Sequence, residues 1–163
     1  MNAIDLLITQ HRAIEGKLAQ WSEMVTSAAK RELFEQVAEH LSVHIASEEQ
    51  VFYPAVKAQN IEGVLLESLE EHLSLKRLLA DLRELDQPGD EVFEAKLKVL
   101  KEQTEHHHEE EEEHLFPRVG KRFDPQTLEQ LGRQMEELQR SMRREGDPAA
   151  VVASQTDQAA PLQ

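Results

Sequence analysis

The sequence contains no cysteine, which excludes a disulfide framework, a thiolate metal site, an iron–sulfur cluster and a cysteine nucleophile. It is poor in positive charge: 18 lysines and arginines stand against 32 aspartates and glutamates, a formal net charge of −14. So acidic a chain lacks the basic patch that nucleic acid or an anionic membrane surface requires, and neither is an expected partner. No apolar run approaches the roughly 18–20 residues of a membrane span. The opening Met1-Asn2-Ala3-Ile4-Asp5 has no basic stretch leading into an apolar core, so the expected compartment is the cytoplasm. Glycine and proline, six of each, fall mostly between periodic segments and form no phosphate-cradling pattern. Ser42, Ser47 and Ser74 lack the glycine-rich elbow of a nucleophilic serine.

What remains is rich in alanine, leucine, glutamate, glutamine and lysine, and it predicts an all-α fold. Apolar residues recur at three- and four-residue steps in four long stretches. The first, residues 2–28, carries Ile4, Leu7, Ile8, His11, Ile14, Leu18 and Val25. The second, 31–58, carries Leu33, Val37, Leu41, His44, Glu48, Val51 or Phe52, and Ala55. After the break at Asn60–Gly63, a third runs to Leu85 with Leu65, Leu69, His72, Leu75, Leu79 and Leu82. The turn Asp86-Gln87-Pro88-Gly89-Asp90 leads into a fourth, 90–116, with Phe93, Leu97, Leu100, Thr104, His107, Glu111 and Leu115. Short connections make these an up-down-up-down four-helix bundle over residues 1–120. Asp124-Pro125 starts a fifth, C-terminal amphipathic helix (121–146) with Leu128, Leu131, Met135, Leu138 and Met142 on one face. That face is expected to pack on its own bundle, with docking of a protein partner as the alternative. Residues 147–163 read as a disordered tail.

The chain is organised around His107-His108-Glu109-Glu110-Glu111-Glu112-Glu113-His114-Leu115-Phe116-Pro117 and an upstream echo, His44 through Glu48-Glu49 to Phe52-Tyr53-Pro54. Both copies run His-x3-Glu-Glu, then two residues, then two apolar or aromatic residues and proline, and they are offset by 63 residues. A lone acidic run is ordinarily a solvated face, and a lone histidine on an apolar stripe is ordinarily a satisfied core residue. Here histidine or glutamate interrupts all four stripes: His11, His44 with Glu48, His72, and His107 with Glu111. Counted at about 1.5 Å per residue from the shared end of the bundle, these six lie within roughly one to two turns of one level. A buried carboxylate is costly unless paired or bound to metal. Four imidazoles and two carboxylates able to bridge fit a two-metal site, with iron, manganese or zinc suited to nitrogen and oxygen donors. His40 reads as a rim residue. His106, His108 and His114 fall off the stripe and, with Glu109, Glu110 and Glu113, read as solvent-facing. Lys76 stands one turn after His72, where a further inward histidine would have added a ligand.

Together these motifs resemble the hemerythrin-like family, the His-His-Glu cation-binding bundles. The resemblance rests on Asp5-Leu6-Leu7 before His11, on His44-x3-Glu48-Glu49 before Phe52-Tyr53-Pro54, on Glu71-His72, and on Glu105-His106-His107 to Leu115-Phe116-Pro117. It covers residues 2–120. It implies a non-haem diiron centre handling dioxygen, nitric oxide or peroxide, with two iron ions in preference to manganese or zinc. His11 and His44 would hold one iron, His72 and His107 the other, and Glu48 and Glu111 would bridge. Respiratory members bridge with a carboxylate five residues after the last histidine, here Glu112; the internal repeat favours Glu111. Lys76 departs from oxygen-carrying members and points to sensing, iron handling or peroxide chemistry. Three functional classes follow: a small-molecule-binding diiron protein, a diiron peroxidase, catalase or oxidase, and a zinc-holding or metal-free helical interaction module.

Overall fold

The computed structural model describes residues 1–85 and 87–162; Asp86 of the predicted turn and Gln163 of the predicted tail lie outside the described residues. The described residues form helices and connecting turns with no strand, as the periodicity predicts. Four helical arms make the bundle. The first is α1 (Ala3–Ala19), capped by Asn2, whose side chain accepts from the Asp5 N–H. The second joins α2 (Ser27–Ser47) to α3 (Tyr53–Lys57), the third is α4 (Gly63–Leu85), and the fourth joins α5 (Glu91–Glu110) to α6 (Phe116–Arg122). No helix is long and apolar enough to cross a membrane among the described residues.

The first arm is shorter than the stripe implies. After α1 a single 3₁₀ turn, Gln20–Glu23, brings Trp21 under the bundle, and Met24 is extended. Thr26 then caps α2, its hydroxyl accepting from the Ala29 N–H. Val25, assigned to the stripe, is therefore in the connection and 92% exposed. A good N-cap outweighs a residue that merely fits the period.

The second and fourth arms are each interrupted by one π-helical turn, Glu48–Phe52 and Glu111–Leu115. The Tyr53 N–H donates to the Glu48 carbonyl, and the Phe116 N–H to the Glu111 carbonyl, five residues back. Pro54 and Pro117 explain the position of these turns. A helix proline offers no N–H and crowds the carbonyl four residues earlier, and the wider turn gives that carbonyl room. One extra residue per turn also shifts the register. Past Glu48 the buried positions are Phe52, Tyr53 and Val56, whereas Val51 and Ala55 are only half-buried.

Residues 121–162 are built onto the bundle. α7 (Pro125–Glu145), with Asp124 as N-cap, lies against α1 and α2 and buries Leu128, Leu131 and Met135. Contact with α1 is close at Gly132, where a Cβ would collide with the Met1 carbonyl oxygen, so glycine alone fits. The expected disordered tail is corrected in part. Asp147 caps a short helix, α8 (Pro148–Ala153), which packs on α2 and α4 and buries Ala149 and Val152 in the core. The capping aspartate, the proline at the first turn and two apolar residues three apart are enough to order it. Beyond it the chain runs back along α4, where Arg77 donates to the Thr156 and Asp157 carbonyls, and Lys57 donates to that of Leu162.

Two apolar clusters fill the interior. One gathers Trp21, Phe34, Leu41, Leu79 and Phe93; the other gathers Leu7, Phe52, Tyr53, Leu65 and Phe116. On every arm the interrupting polar residue lies between them: His11 between Leu7 and Ile14, His72 between Leu69 and Leu75, and correspondingly on the other two.

Candidate metal centre

All six residues singled out by the stripes meet in this polar layer, and each is 0–1% exposed. Ligand atoms of His11, His44, Glu48 and Glu111 form one group that could hold a metal ion, and those of Glu48, His72 and His107 form another. Glu48 Oε1 lies 3.1 Å from His72 Nε2 and 3.4 Å from His44 Nε2. Glu111 Oε1 lies 3.2 Å from His11 Nε2 and 3.4 Å from His107 Nε2. Each carboxylate thus faces one histidine of each pair. Of the two carboxylates weighed for the last arm, Glu111 points inward. Glu112 turns outward instead, accepting from His11 Nδ1 at 2.7 Å and pairing with Arg12.

The imidazoles are held from behind. His44 Nδ1 meets Gln10 Oε1, His72 Nδ1 meets Glu49 Oε2, and His107 Nδ1 meets Glu71 Oε1, each at 2.9 Å. Every Nδ1 therefore donates its proton to a carboxylate or amide oxygen and leaves Nε2 bare and inward, the arrangement that outer partners impose on metal-binding histidines. Two of these braces have support of their own. Lys76, 1% exposed, donates to Glu49 at 2.9 Å. Gln139 of α7 accepts from Gln10 Nε2 at 2.8 Å and donates to Ser47 Oγ at 2.9 Å.

This donor set fits a cation. His11 Nε2, His44 Nε2, Glu48 Oε2 and Glu111 Oε1 are buried with no hydrogen-bond partner. His72 Nε2 and His107 Nε2 face each other at 3.0 Å. With both Nδ1 atoms committed to carboxylates, two lone pairs would meet there unless one ring were protonated or a cation lay between. An unpaired buried polar group costs about 1–3 kcal/mol, so four of them converging on one point is a debt that a metal ion cancels.

The electrostatics without metal carry the same message. Burial and the neighbouring Glu111 charge push the Glu48 carboxyl up. Burial acts on Glu111 in the same direction, but the His107 charge, then hydrogen bonding with Glu48 and with His11, outweigh it and hold Glu111 well below the usual carboxylate range. Burial, seconded by His11, drives His44 well below the ordinary imidazole value. Burial opposes protonation of His107, yet Glu111 and Glu48 raise it well above that value. Burial opposes protonation of His11 and His72 too, yet Glu111 raises the first and Glu48 the second, so protons on this layer take up charge that divalent ions would balance.

The family model for the hemerythrin HHE cation-binding domain matches residues 2–119. The chain belongs to this family. No curated protein and no solved structure matched it. As a hemerythrin HHE protein it is a metal-binding helical bundle, and the match ends within α6, before α7 begins.

Sequence reading of this hemerythrin-domain chain missed several side chains of the centre. Tyr53 is fully buried and donates from its hydroxyl to Glu111 Oε2 at 2.7 Å, with His72 Nε2 3.4 Å away. The π turn moves it inward; its sequence signal is the proline six residues after the glutamate. His108, read as solvent-facing, is 1% exposed and stacks on His11 with ring centroids 3.7 Å apart. The interior around His11 is wide enough to take neighbours on both sides of the stripe. His106 and His114 are exposed, as are Glu109 and Glu113, while Glu110 is half-buried; His40 is half-buried at the rim. The braces Gln10 and Glu71 each immediately precede a histidine, and Glu49 and Glu112 each immediately follow an inward glutamate.

Proposed function

We propose that the chain is a non-haem diiron protein that binds dioxygen, nitric oxide or a peroxide and serves sensing, redox response or iron handling. The observation that carries this reading is the convergence of bare, buried Nε2 and carboxylate atoms whose Nδ1 protons are all committed elsewhere. His11 and His44 would hold one ion and His72 and His107 the other, with Glu48 and Glu111 between them. Bound iron would supply open coordination positions and a redox couple. The protein's part is to keep four imidazoles in one tautomer, to hold Glu111 through the Tyr53 hydroxyl, and to exclude water with the apolar clusters on either side. Nitrogen and oxygen donors without thiolate suit iron; manganese and zinc are the competing outcomes.

A second reading, a diiron peroxidase, catalase or oxidase, draws on proton donors beside the centre. The Tyr53 hydroxyl reaches Glu111 directly, and Lys76 connects to His72 through Glu49. A positioned donor within hydrogen-bond reach is what general acid–base chemistry needs. A zinc-holding or metal-free interaction module is the weakest of the three, because the apolar face of α7 that would dock a partner is already spent on the bundle.

The deciding measurement is metal content with the visible spectrum of protein from iron-supplemented cells, air-oxidised and then reduced. About two irons per chain, with absorption that bleaches on reduction, is the expected result. Zinc, or no firmly held metal, would overturn the diiron reading. Peroxide turnover by the iron-loaded protein would favour the enzyme reading over the sensor.

A further inference from the structure

The four metal-facing histidines come in two halves with matching bracing. Gln10, His11 and Glu15 of α1 stand to Glu71, His72 and Lys76 of α4 as His44 of α2 stands to His107 of α5. His108 has no such match: its counterpart beside His44 is Ile45, an aliphatic residue of the apolar cluster around Trp21 and Phe93. Yet His108 is treated as the other four are. Its Nδ1 is 2.6 Å from Glu15 Oε2, which commits that nitrogen's proton to a carboxylate. Its Nε2 is fully buried and has no hydrogen-bond partner. Its ligand atom lies within 4.8 Å of those of His11 and His44, a third group able to hold a metal ion.

We propose that His108 is a third imidazole ligand to the ion held by His11 and His44, which makes the two metal positions unequal and leaves the one at His72 and His107 open to the small ligand. The inference rests on the two-ion reading above. A core histidine with only a packing role would have both nitrogens satisfied, and a ring needed merely to stack on His11 could be phenylalanine at no cost in hydrogen bonds. The other half cannot offer the same. Ile45 has no donor atom, and Lys76, standing where Glu15 does, could not accept a proton from an imidazole. The first position then has five protein donors, His11, His44, His108, Glu48 and Glu111. The second has four, and the Tyr53 hydroxyl stands beside it, 3.4 Å from His72 Nε2.

One adjustment is required. A metal takes an imidazole lone pair in the plane of the ring, whereas His11 and His108 lie nearly parallel, 9° apart. The two rings must splay as the ion enters, and Glu15, a quarter exposed and paired with the exposed Arg12, can shift with His108.

Stepwise titration of the metal-free chain with Co(II), read by calorimetry and visible absorption, tests this. The wild-type chain is expected to take two ions in unequal steps. His108→Gln, whose amide can still donate to Glu15, is expected to weaken the tighter step about tenfold or more and leave the other within about twofold. His72→Gln should do the reverse. Equal losses in both steps, or none, for His108→Gln would overturn the proposal. As a check independent of any variant's folding, the 15N resonance of His108 Nε2 in wild-type protein should move to the metal-bound range on loading with Zn(II). An unmoved resonance beside shifted His11 and His44 also overturns it. A wild-type chain that takes up fewer than two ions fails at the two-ion reading itself, so the two failures read out separately.

Discussion

The α1–α2 half and the α4–α5 half of the centre share a plan and differ in its contents. Each half braces one histidine from within, His44 by Gln10 and His107 by Glu71. Each braces another from across the bundle, His11 by Glu112 and His72 by Glu49. The cross-braces carry cations, Arg12 on Glu112 and Lys76 on Glu49. The differences lie closer in. His107 leans on a carboxylate and His44 on a neutral amide that α7 secures through Gln139. An aromatic ring lies against each cross-braced histidine, Phe116 on His11 and Tyr53 on His72, and only the tyrosine offers a hydroxyl. Duplication supplies the frame, and the unmatched residues decide what each half can do.

The largest effects should come from the shared plan. Glu48→Ala and Glu111→Ala are each expected to lose at least one ion per chain by elemental analysis, while His40→Ala, at the rim, keeps the full content. Full metal retention in Glu48→Ala would refute the centre.

Next come the cross-braces. Glu49→Gln and Glu112→Gln should each weaken metal binding by about 10–100-fold in competition with a chelator. Glu49 is expected to cost more, because its loss strands the buried Lys76 ammonium without a carboxylate, whereas Arg12 keeps Glu15. Equal losses would mean that the two halves are braced alike.

Smaller again, Tyr53→Phe makes the two aromatic positions equivalent. It removes a buried hydrogen bond to a carboxylate and should lower the stability of the metal-free protein by about 1–3 kcal/mol in denaturant unfolding. Metal stoichiometry should stay unchanged.

The smallest effect lies away from the centre, at Glu94. Partial burial acts to raise its carboxyl, but the Lys30 ammonium and the Trp21 N–H hold it below the ordinary value of 4.5. A carboxyl depressed in the folded state adds stability above its unfolded value and loses it as pH falls through the folded one. Glu94→Gln should therefore cost about 0.5 kcal/mol or less at neutral pH. The gap should close in unfolding curves taken below the folded value. A gap that persists there would assign the loss to packing.

Much of this was legible from residue spacing. The six interior residues all announced themselves, because a polar side chain on an otherwise apolar stripe stands out against a periodic background. The four-arm plan followed from the same pattern, and the family from the resemblance of the motifs. What escaped had physical reasons. The braces sit off the stripe and look like surface glutamates until a partner helix is placed beside them. Tyr53 was hidden because an α-helical period was carried through a turn that is not α-helical. His108 was hidden among charged neighbours that are indeed exposed. Helix α8 rests on three buried side chains, Pro148, Ala149 and Val152, too short a signal for any period to register.

The π turns at Glu48 and Glu111 have a consequence for how the chain tolerates change. A single extra residue in a helix rotates everything beyond it by about 100°. Each of these two arms therefore already contains what amounts to an insertion, held open by the proline that follows. Deleting one residue from within 49–51 would let the arm close into an ordinary α-helix. His44 would keep its place, and Phe52, Tyr53 and Val56 would keep their faces as well, because removing the extra residue cancels the insertion that the wider turn absorbs. The same deletion in a plain arm such as α4 would be a disruption with no such alternative. In the second arm it would remove the wider turn and leave the Tyr53 hydroxyl aimed at Glu111, with Pro54 crowding the carbonyl four residues before it as the cost.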